Sequence, residues 1–350
     1  MNIGTGSRHN NDLQYVTFNQ DQSCFACATT TGFRIFKCEP LKERLKHDFA
    51  NGGLGFIEML FNSNYLAIVG GSERPLYPSN RVQIWEDLTK NVMLKLEFNY
   101  PVLGVRLRRD RIVVVMEKMI KVFTFTQNPT QLHIFETHSN PKGLCALCPN
   151  SDNALLAFPW NKPGTVQLID LANADRNFIN IGAHSSEIAC MTLNNQGTRL
   201  ATASEKGTLI RVFDTSNGEL YIELRRGSNY ATIHSINFSH QSTKLCVSSD
   251  RGTIHIFALD DPSLNQRSQL AMSSILASYF SSSWSFCRFS IPDYPTCICA
   301  FSSNDDYIHA VCADGYFYKF SYDLQGSFTR EFSTSFLTLS ENTDNNLASE

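Results

Sequence analysis

The sequence has no long apolar run. Its longest runs, such as Ile112 to Met116, fall far short of the ~20 residues needed to cross a bilayer as a helix. The first residues, Met1 to Asn11, are polar and carry no apolar segment of the secretory kind. Together these absences predict a soluble intracellular protein. Excess positive charge is also missing. Thirty Lys and Arg stand against 33 Asp and Glu, a net charge of −3, which excludes the basic face of a bulk nucleic-acid binder. Charged residues make up 18% of the chain, below the usual ~25%. Apolar residues make up 42%, so most of the chain is expected to fold. No Gly-x-Ser-x-Gly, His-Glu-x-x-His or Walker A pattern occurs. The adjacent carboxylates Asp260-Asp261 and Asp305-Asp306 read as solvated turns, so nothing nominates an enzyme.

Cysteine is not scarce. Eleven residues, an odd number, several of them inside strand-like runs, fit buried thiols in a reducing compartment. Two CxxC pairs occur, Cys24–Cys27 and Cys145–Cys148. Cys24 and Cys27 lie in an extended run, where residues three apart point to opposite faces, so the pair chelates poorly. No metal and no cofactor is assigned.

What fills the chain instead is a repeat: polar turn, apolar strand, small-residue turn, apolar strand. Seven copies can be aligned, on the anchors Phe36, Trp85, Phe123, Ile169, Phe213, Phe257 and Phe320. Their spacings are roughly 49, 38, 46, 44, 44 and 63, around the ~40–45 of a four-stranded propeller blade. Within repeats the polarity alternates at period 2, as in Thr208 to Phe213. The pattern predicts an all-β chain, a seven-bladed β-propeller of the WD-repeat type, as one domain over 1–338. Ala183-His184 and Phe213-Asp214 in the fifth repeat are a degenerate Gly-His … Trp-Asp signature, so His184 serves its own blade, a ligand, or both. The last spacing is longer because of a serine-rich insertion at 261–285, with apolar Leu270, Ile275, Leu276, Tyr279 and Phe280. A polar, acidic tail is expected at 339–350.

One basic cluster stands out, Leu224-Arg225-Arg226-Gly227. Adjacent residues of a strand project to opposite sides. Arg225 should therefore face the fifth blade and Arg226 the sixth, with Gly227 letting the chain turn. The fifth repeat offers His184, Thr202, Ser204, Lys206, Gly207, Thr208 and Arg211; the sixth offers Ser248, Ser249, Arg251, Gly252, Thr253 and His255. Hydroxyls, a glycine turn and cations are the chemistry of phosphate binding. The same residues also serve as ordinary turn and strand residues in WD blades.

These blocks resemble the PROPPIN family, the β-propellers that bind polyphosphoinositides, called WIPI proteins in animals. The resemblance rests on FNQDQSCFAC (18–27), NPKGLCALCPNS (140–151), ATASEKGTLIRVFDTS (201–216), ELRRGS (223–228) and SSDRGTIHIFALDDP (248–262). It covers nearly the whole chain and is nearest to the third vertebrate WIPI paralogue. It implies a non-enzymatic, monomeric protein that binds phosphatidylinositol 3-phosphate and phosphatidylinositol 3,5-bisphosphate. It also implies roles in autophagosome formation and endolysosomal traffic, with recruitment from the cytoplasm to preautophagosomal and endolysosomal membranes. The first headgroup site carries over onto His184, Thr202, Ser204, Lys206, Gly207, Thr208, Arg211 and Arg225. The second carries over onto Arg226, Gly227, Ser249, Thr253 and His255, with Arg251 added. The 261–285 loop would touch the membrane through Leu270, Ile275, Leu276, Tyr279 and Phe280. Blades one to three would recruit an autophagy lipid-transfer protein, with Asn19 and Asp21 as partner-binding candidates, although the same turn recurs in later repeats. Protonation of His184 and His255 would strengthen binding in mild acid. The competing readings are a soluble WD-repeat adaptor for peptides and a propeller enzyme.

Overall fold

Alternating apolar residues make the chain fold as strands, and each strand pairs with its neighbour in sequence. The computed structural model describes residues 1, 11–71, 74–174, 178–266, 282–293 and 295–339. They form seven antiparallel sheets with the strands of each in chain order, over 13–48, 56–97, 104–136, 146–182, 188–225, 233–290 and 297–335. The protein is a seven-bladed β-propeller, with no α-helix among the described residues. All seven sequence anchors fall in the third strand of their blade.

Burial explains the composition of each strand. Second strands are covered on both faces by neighbouring blades, so Cys24–Thr29 is buried throughout. Outermost strands face solvent on one side, so Lys42–Asp48 alternates in exposure. The apolar side chains form seven cores, one between each pair of adjacent blades, including the last with the first. In the closing core, Phe25 of blade one stacks on Phe36 at 5.0 Å and on Phe317 of blade seven at 5.9 Å. The CxxC pairs are split between cores. Cys24 and Cys27 belong to two different clusters, as do Cys145 and Cys148.

Among the described residues no strand is shared between blades one and seven, and side chains help close the ring. Gln22 does this from a tight turn at φ 58°. Its amide donates to Phe238 O of blade six at 2.9 Å and accepts from Phe301 N of blade seven at 2.9 Å. Gln20, two residues earlier, donates to Met59 O of blade two at 2.6 Å and to Leu107 O of blade three at 3.2 Å. Gln22→Asn keeps an amide and tolerates positive φ but falls one methylene short. It is expected to leave both buried backbone groups unpaired and to cost about 2–4 kcal/mol, read as a shift of the urea midpoint.

The insertion expected at 261–285 lies between the third and fourth strands of blade six, Thr253–Ala258 and Cys287–Ser290. Its first part forms a short 3-10 turn, Pro262–Leu264. Its last part has a position that the repeat pattern does not show. Ser283–Trp284 adds to blade five as a fifth, parallel strand, with Leu224 opposite Ser283 and Arg225 opposite Trp284. Leu270, Ile275, Leu276, Tyr279 and Phe280 lie outside the described residues, as does the expected tail after Leu339.

Candidate functional site

The candidate site is the junction of blades five and six, where the chain leaves the strand Leu220–Arg225. Two guanidiniums are buried here in succession, Arg225 and Arg226, each 7% exposed. Burying like charges side by side is costly and needs compensating partners.

On blade five, the paired register lines up Thr202, Arg211 and Glu223 across three strands. His184 Nε2 shares a hydrogen bond of 3.0 Å with Thr202 Oγ1. Arg211 donates to the Ala183 carbonyl at 2.7 Å and pairs with Glu223 Oε2 through two nitrogens, at 2.9 and 2.8 Å. The second oxygen of Glu223 accepts from Ser282 Oγ at 2.6 Å. Burial would raise the Glu223 carboxyl, but the bonds from Ser282 and Arg211 outweigh it and hold it below its usual range. Arg225 lies two residues further along the same strand face, with Ser204 buried nearby on the second strand.

On the other side, Arg226 Nε donates to Gly207 O at 2.9 Å, and its terminal nitrogen donates to Asn229 O. The Arg226 amide donates to Thr208 O at 2.9 Å. Gly207 and Thr208, expected in the first pocket, thus give their carbonyls to the residue of the second. Burial and then Arg251 lower the guanidinium of Arg226. Arg251 donates to Tyr230 O at 2.8 Å. The His255 ring sits between Thr253 Oγ1 at 3.2 Å and Ser285 Oγ at 3.0 Å, with Arg288 opposite it on the fourth strand. Ser249 is fully buried.

Two expectations are corrected. Gly227 is not needed for the turn. It lacks a positive φ, and an added Cβ would meet nothing within 4 Å. Gly207 and Gly252, at φ 60° and 63°, are the glycines that the backbone requires. Nor do the histidines gain charge in mild acid. Burial, then Arg211, lowers His184 to about 4. Burial, then Arg226 and Arg288, lowers His255 to about 3. Both values lie below the mildly acidic range.

Asn19 is buried, and its oxygen accepts from Cys24 N at 3.1 Å, closing its own turn. Asn194 of blade five holds the equivalent turn, accepting from Thr198 N at 2.8 Å. Asp21 accepts from Ser23 N at 3.1 Å and lines a cavity of about 710 Å³ with Phe61, Arg109 and Phe125. Among the described residues, no group of three or more His, Cys, Asp or Glu is placed to hold a metal. Sequence reasoning missed Glu223, Ser282, Ser285 and Arg288. Period 2 alone could have found Glu223, since it shares a face with Arg225.

A family model described as PROPPIN matches residues 12–285. SVP1-like protein 2 of Pichia angusta is 41% identical over 287 residues, 79% of this chain and 80% of its own length. Autophagy-related protein 18 of Dictyostelium discoideum is 35% identical over 350 residues, 92% of each chain. Among solved structures, Hsv2 of Kluyveromyces lactis with a complete loop 6CD is similar at TM-score 0.77 and 27% identity, over 93% of this chain and 100% of that one.

Proposed function

The chain belongs to the PROPPIN family, and from that premise we propose that it is a non-enzymatic effector of phosphoinositides with two headgroup pockets. The ligands would be phosphatidylinositol 3-phosphate and phosphatidylinositol 3,5-bisphosphate. Within the family we place it nearest the third vertebrate WIPI paralogue, on the ELRRGS and SSDRGTIHIF blocks. The observation that carries the reading is the buried pair Arg225 and Arg226, in succession where the chain passes from blade five to blade six, in a chain of net negative charge. A phosphate dianion in each pocket would offset the burial of its guanidinium through charge-assisted hydrogen bonds. In the first pocket Arg225 and Arg211 bind, Ser204 and Lys206 add donors, and His184 orients Thr202 behind them. In the second, Arg226 and Arg251 bind, beside the hydroxyl of Thr253 and the ring of His255.

Two weak pockets on one rim act together on a membrane, because the second binds at the effective concentration set by the first. The ring then stands edge-on to the bilayer, with the 261–285 loop towards it. Blades one to three are left for a protein partner. We assign that partner as an autophagy lipid-transfer protein docking near Asp21 and Arg109, and the site of action as preautophagosomal and endolysosomal membranes.

The test is co-sedimentation with vesicles carrying phosphatidylinositol 3-phosphate, phosphatidylinositol 3,5-bisphosphate or unphosphorylated phosphatidylinositol. Wild type is expected to bind the first two selectively. Arg225→Ala/Arg226→Ala, checked for folding by circular dichroism, is expected to lose at least about tenfold in affinity, since each charge-assisted bond is worth roughly 1.5–3 kcal/mol before desolvation. Equal binding by both proteins, or none by either, removes the headgroup pockets and leaves a soluble peptide adaptor.

A further inference from the structure

The first pocket contains its own anion. Glu223 takes two nitrogens of Arg211, at 2.8 and 2.9 Å, and the Ala183 carbonyl takes a third, at 2.7 Å. Each of the three nitrogens of Arg211 therefore already makes a contact within the protein. Glu223 is held in turn from the other side. Ser282 donates to it at 2.6 Å, and the adjacent Ser283–Trp284 is fixed as a parallel strand against Leu224 and Arg225. The backbone of Trp284 is pinned again by its amide, which donates to Gln266 O at 2.8 Å. A carboxylate held from two sides is a fixed charge, not a mobile surface group. It stands one strand position from Arg211 and two residues from Arg225.

A fixed internal carboxylate sets a threshold for any incoming anion. The ligand must compete with a charge of −1 for Arg211 while tolerating that charge nearby. A singly charged phosphodiester or carboxylate offers Arg211 no more than it already has. A phosphomonoester carries close to −2 at neutral pH and has three acceptor oxygens. Specificity of this kind is built by penalising the wrong ligand as well as by attracting the right one.

We propose that Glu223 is the specificity-determining residue of the first pocket, an internal carboxylate that a dianionic phosphomonoester displaces from Arg211 and singly charged anions do not. This rests on the phosphoinositide reading above. Ser282 acts through Glu223 as a positioning residue. The stem of the blade-six loop thereby contributes to headgroup discrimination without touching the headgroup.

The experiment compares wild type, Glu223→Gln and Ser282→Ala on vesicles of phosphatidylinositol 3-phosphate, phosphatidylinositol and phosphatidylserine, in the full chain. Glu223→Gln keeps the side-chain shape and loses the charge. Its preference for the monoester over phosphatidylserine is expected to fall at least about fivefold, the lower end of a typical coupling between sites. That fall should come from gained phosphatidylserine binding, with monoester binding kept or raised. Ser282→Ala should shift the ratio in the same direction by less. It also guards against misfolding of the first variant, since it removes only one hydroxyl. A folded Glu223→Gln protein with unchanged preference, or with weakened monoester binding, overturns the assignment and leaves the two-pocket reading standing. Wild type without any monoester preference overturns both. Competition by inorganic phosphate and by soluble inositol 1,3-bisphosphate separates the ligand sources. If inorganic phosphate competes as well as the headgroup, the filter reads any phosphomonoester. If only the headgroup competes, the filter reads the lipid. Either result supports Glu223 as the filter, and competition by neither overturns it.

Discussion

Gly207→Ala is expected to lose roughly 4 kcal/mol or more, while Gly227→Ala, in the same candidate site, is expected to stay within about 0.5 kcal/mol of wild type. The difference is local geometry. Gly207 sits at φ +60°, and a Cβ there would lie 1.8 Å from Ala231 O and 2.8 Å from Ala231 C. Both contacts are backbone atoms of the segment that leads into blade six, so neither can swing aside. The left-handed conformation alone adds roughly 1–2 kcal/mol for a residue with a side chain. Relief would move the Gly207 carbonyl, which accepts from Arg226, and the Lys206 carbonyl, which accepts from the Ala231 amide. Stability and the second pocket should therefore fail together. At Gly227 an added Cβ meets nothing within 4 Å. Urea unfolding of the two variants decides the matter, and equal midpoints would refute the argument.

Acid is expected to destabilise the protein from about pH 6.5 downwards, before its carboxylates begin to protonate. His184 and His309 are lowered from 6.5 to about 4 and His255 to about 3, each chiefly by burial. The folded state thus holds these rings neutral, whereas the unfolded chain protonates near 6.5. Below that pH the unfolded state binds more protons, so stability falls as pH drops from 6.5 towards 4. A histidine lowered from 6.5 to about 4 contributes about 3 kcal/mol. The three together amount to on the order of 5–10 kcal/mol, comparable with the whole stability of a typical domain. His240, raised chiefly by its bond to Asp305, runs the other way and offsets a small part. A circular dichroism titration should show cooperative unfolding between pH 5 and 4. His309 lies far from both pockets and tilts against Phe317 at 5.4 Å. His309→Phe should therefore flatten the acid limb by about 3 kcal/mol. A limb as steep as that of wild type would show that this ring does not titrate on unfolding.

The ring was legible in the sequence because blade strands obey a local rule. Period-2 alternation and the recurring turns placed all seven anchors, from Phe36 to Phe320, on third strands. What escaped was non-local. Nothing near Gln22 announces that its amide reaches Phe238 and Phe301. Nothing near Trp284 announces that it pairs with Arg225, because a two-residue strand has no pattern of its own. The fates of His184 and His255 also depend on burial and on arginines brought close only by folding. Composition signals a titratable ring but not its surroundings.

The fifth strand on blade five bears on how the ring can be approached. An outermost strand presents a row of backbone donors and acceptors, a template on which an extended peptide can lie down as one more strand. On the other six blades that row is bare of any further strand among the described residues. On blade five it is already taken at Leu224 and Arg225, by the protein's own Ser283 and Trp284. A partner that recognises main chain by strand addition can use the rim elsewhere. At the corner that carries the candidate site it would first have to evict the protein's own segment.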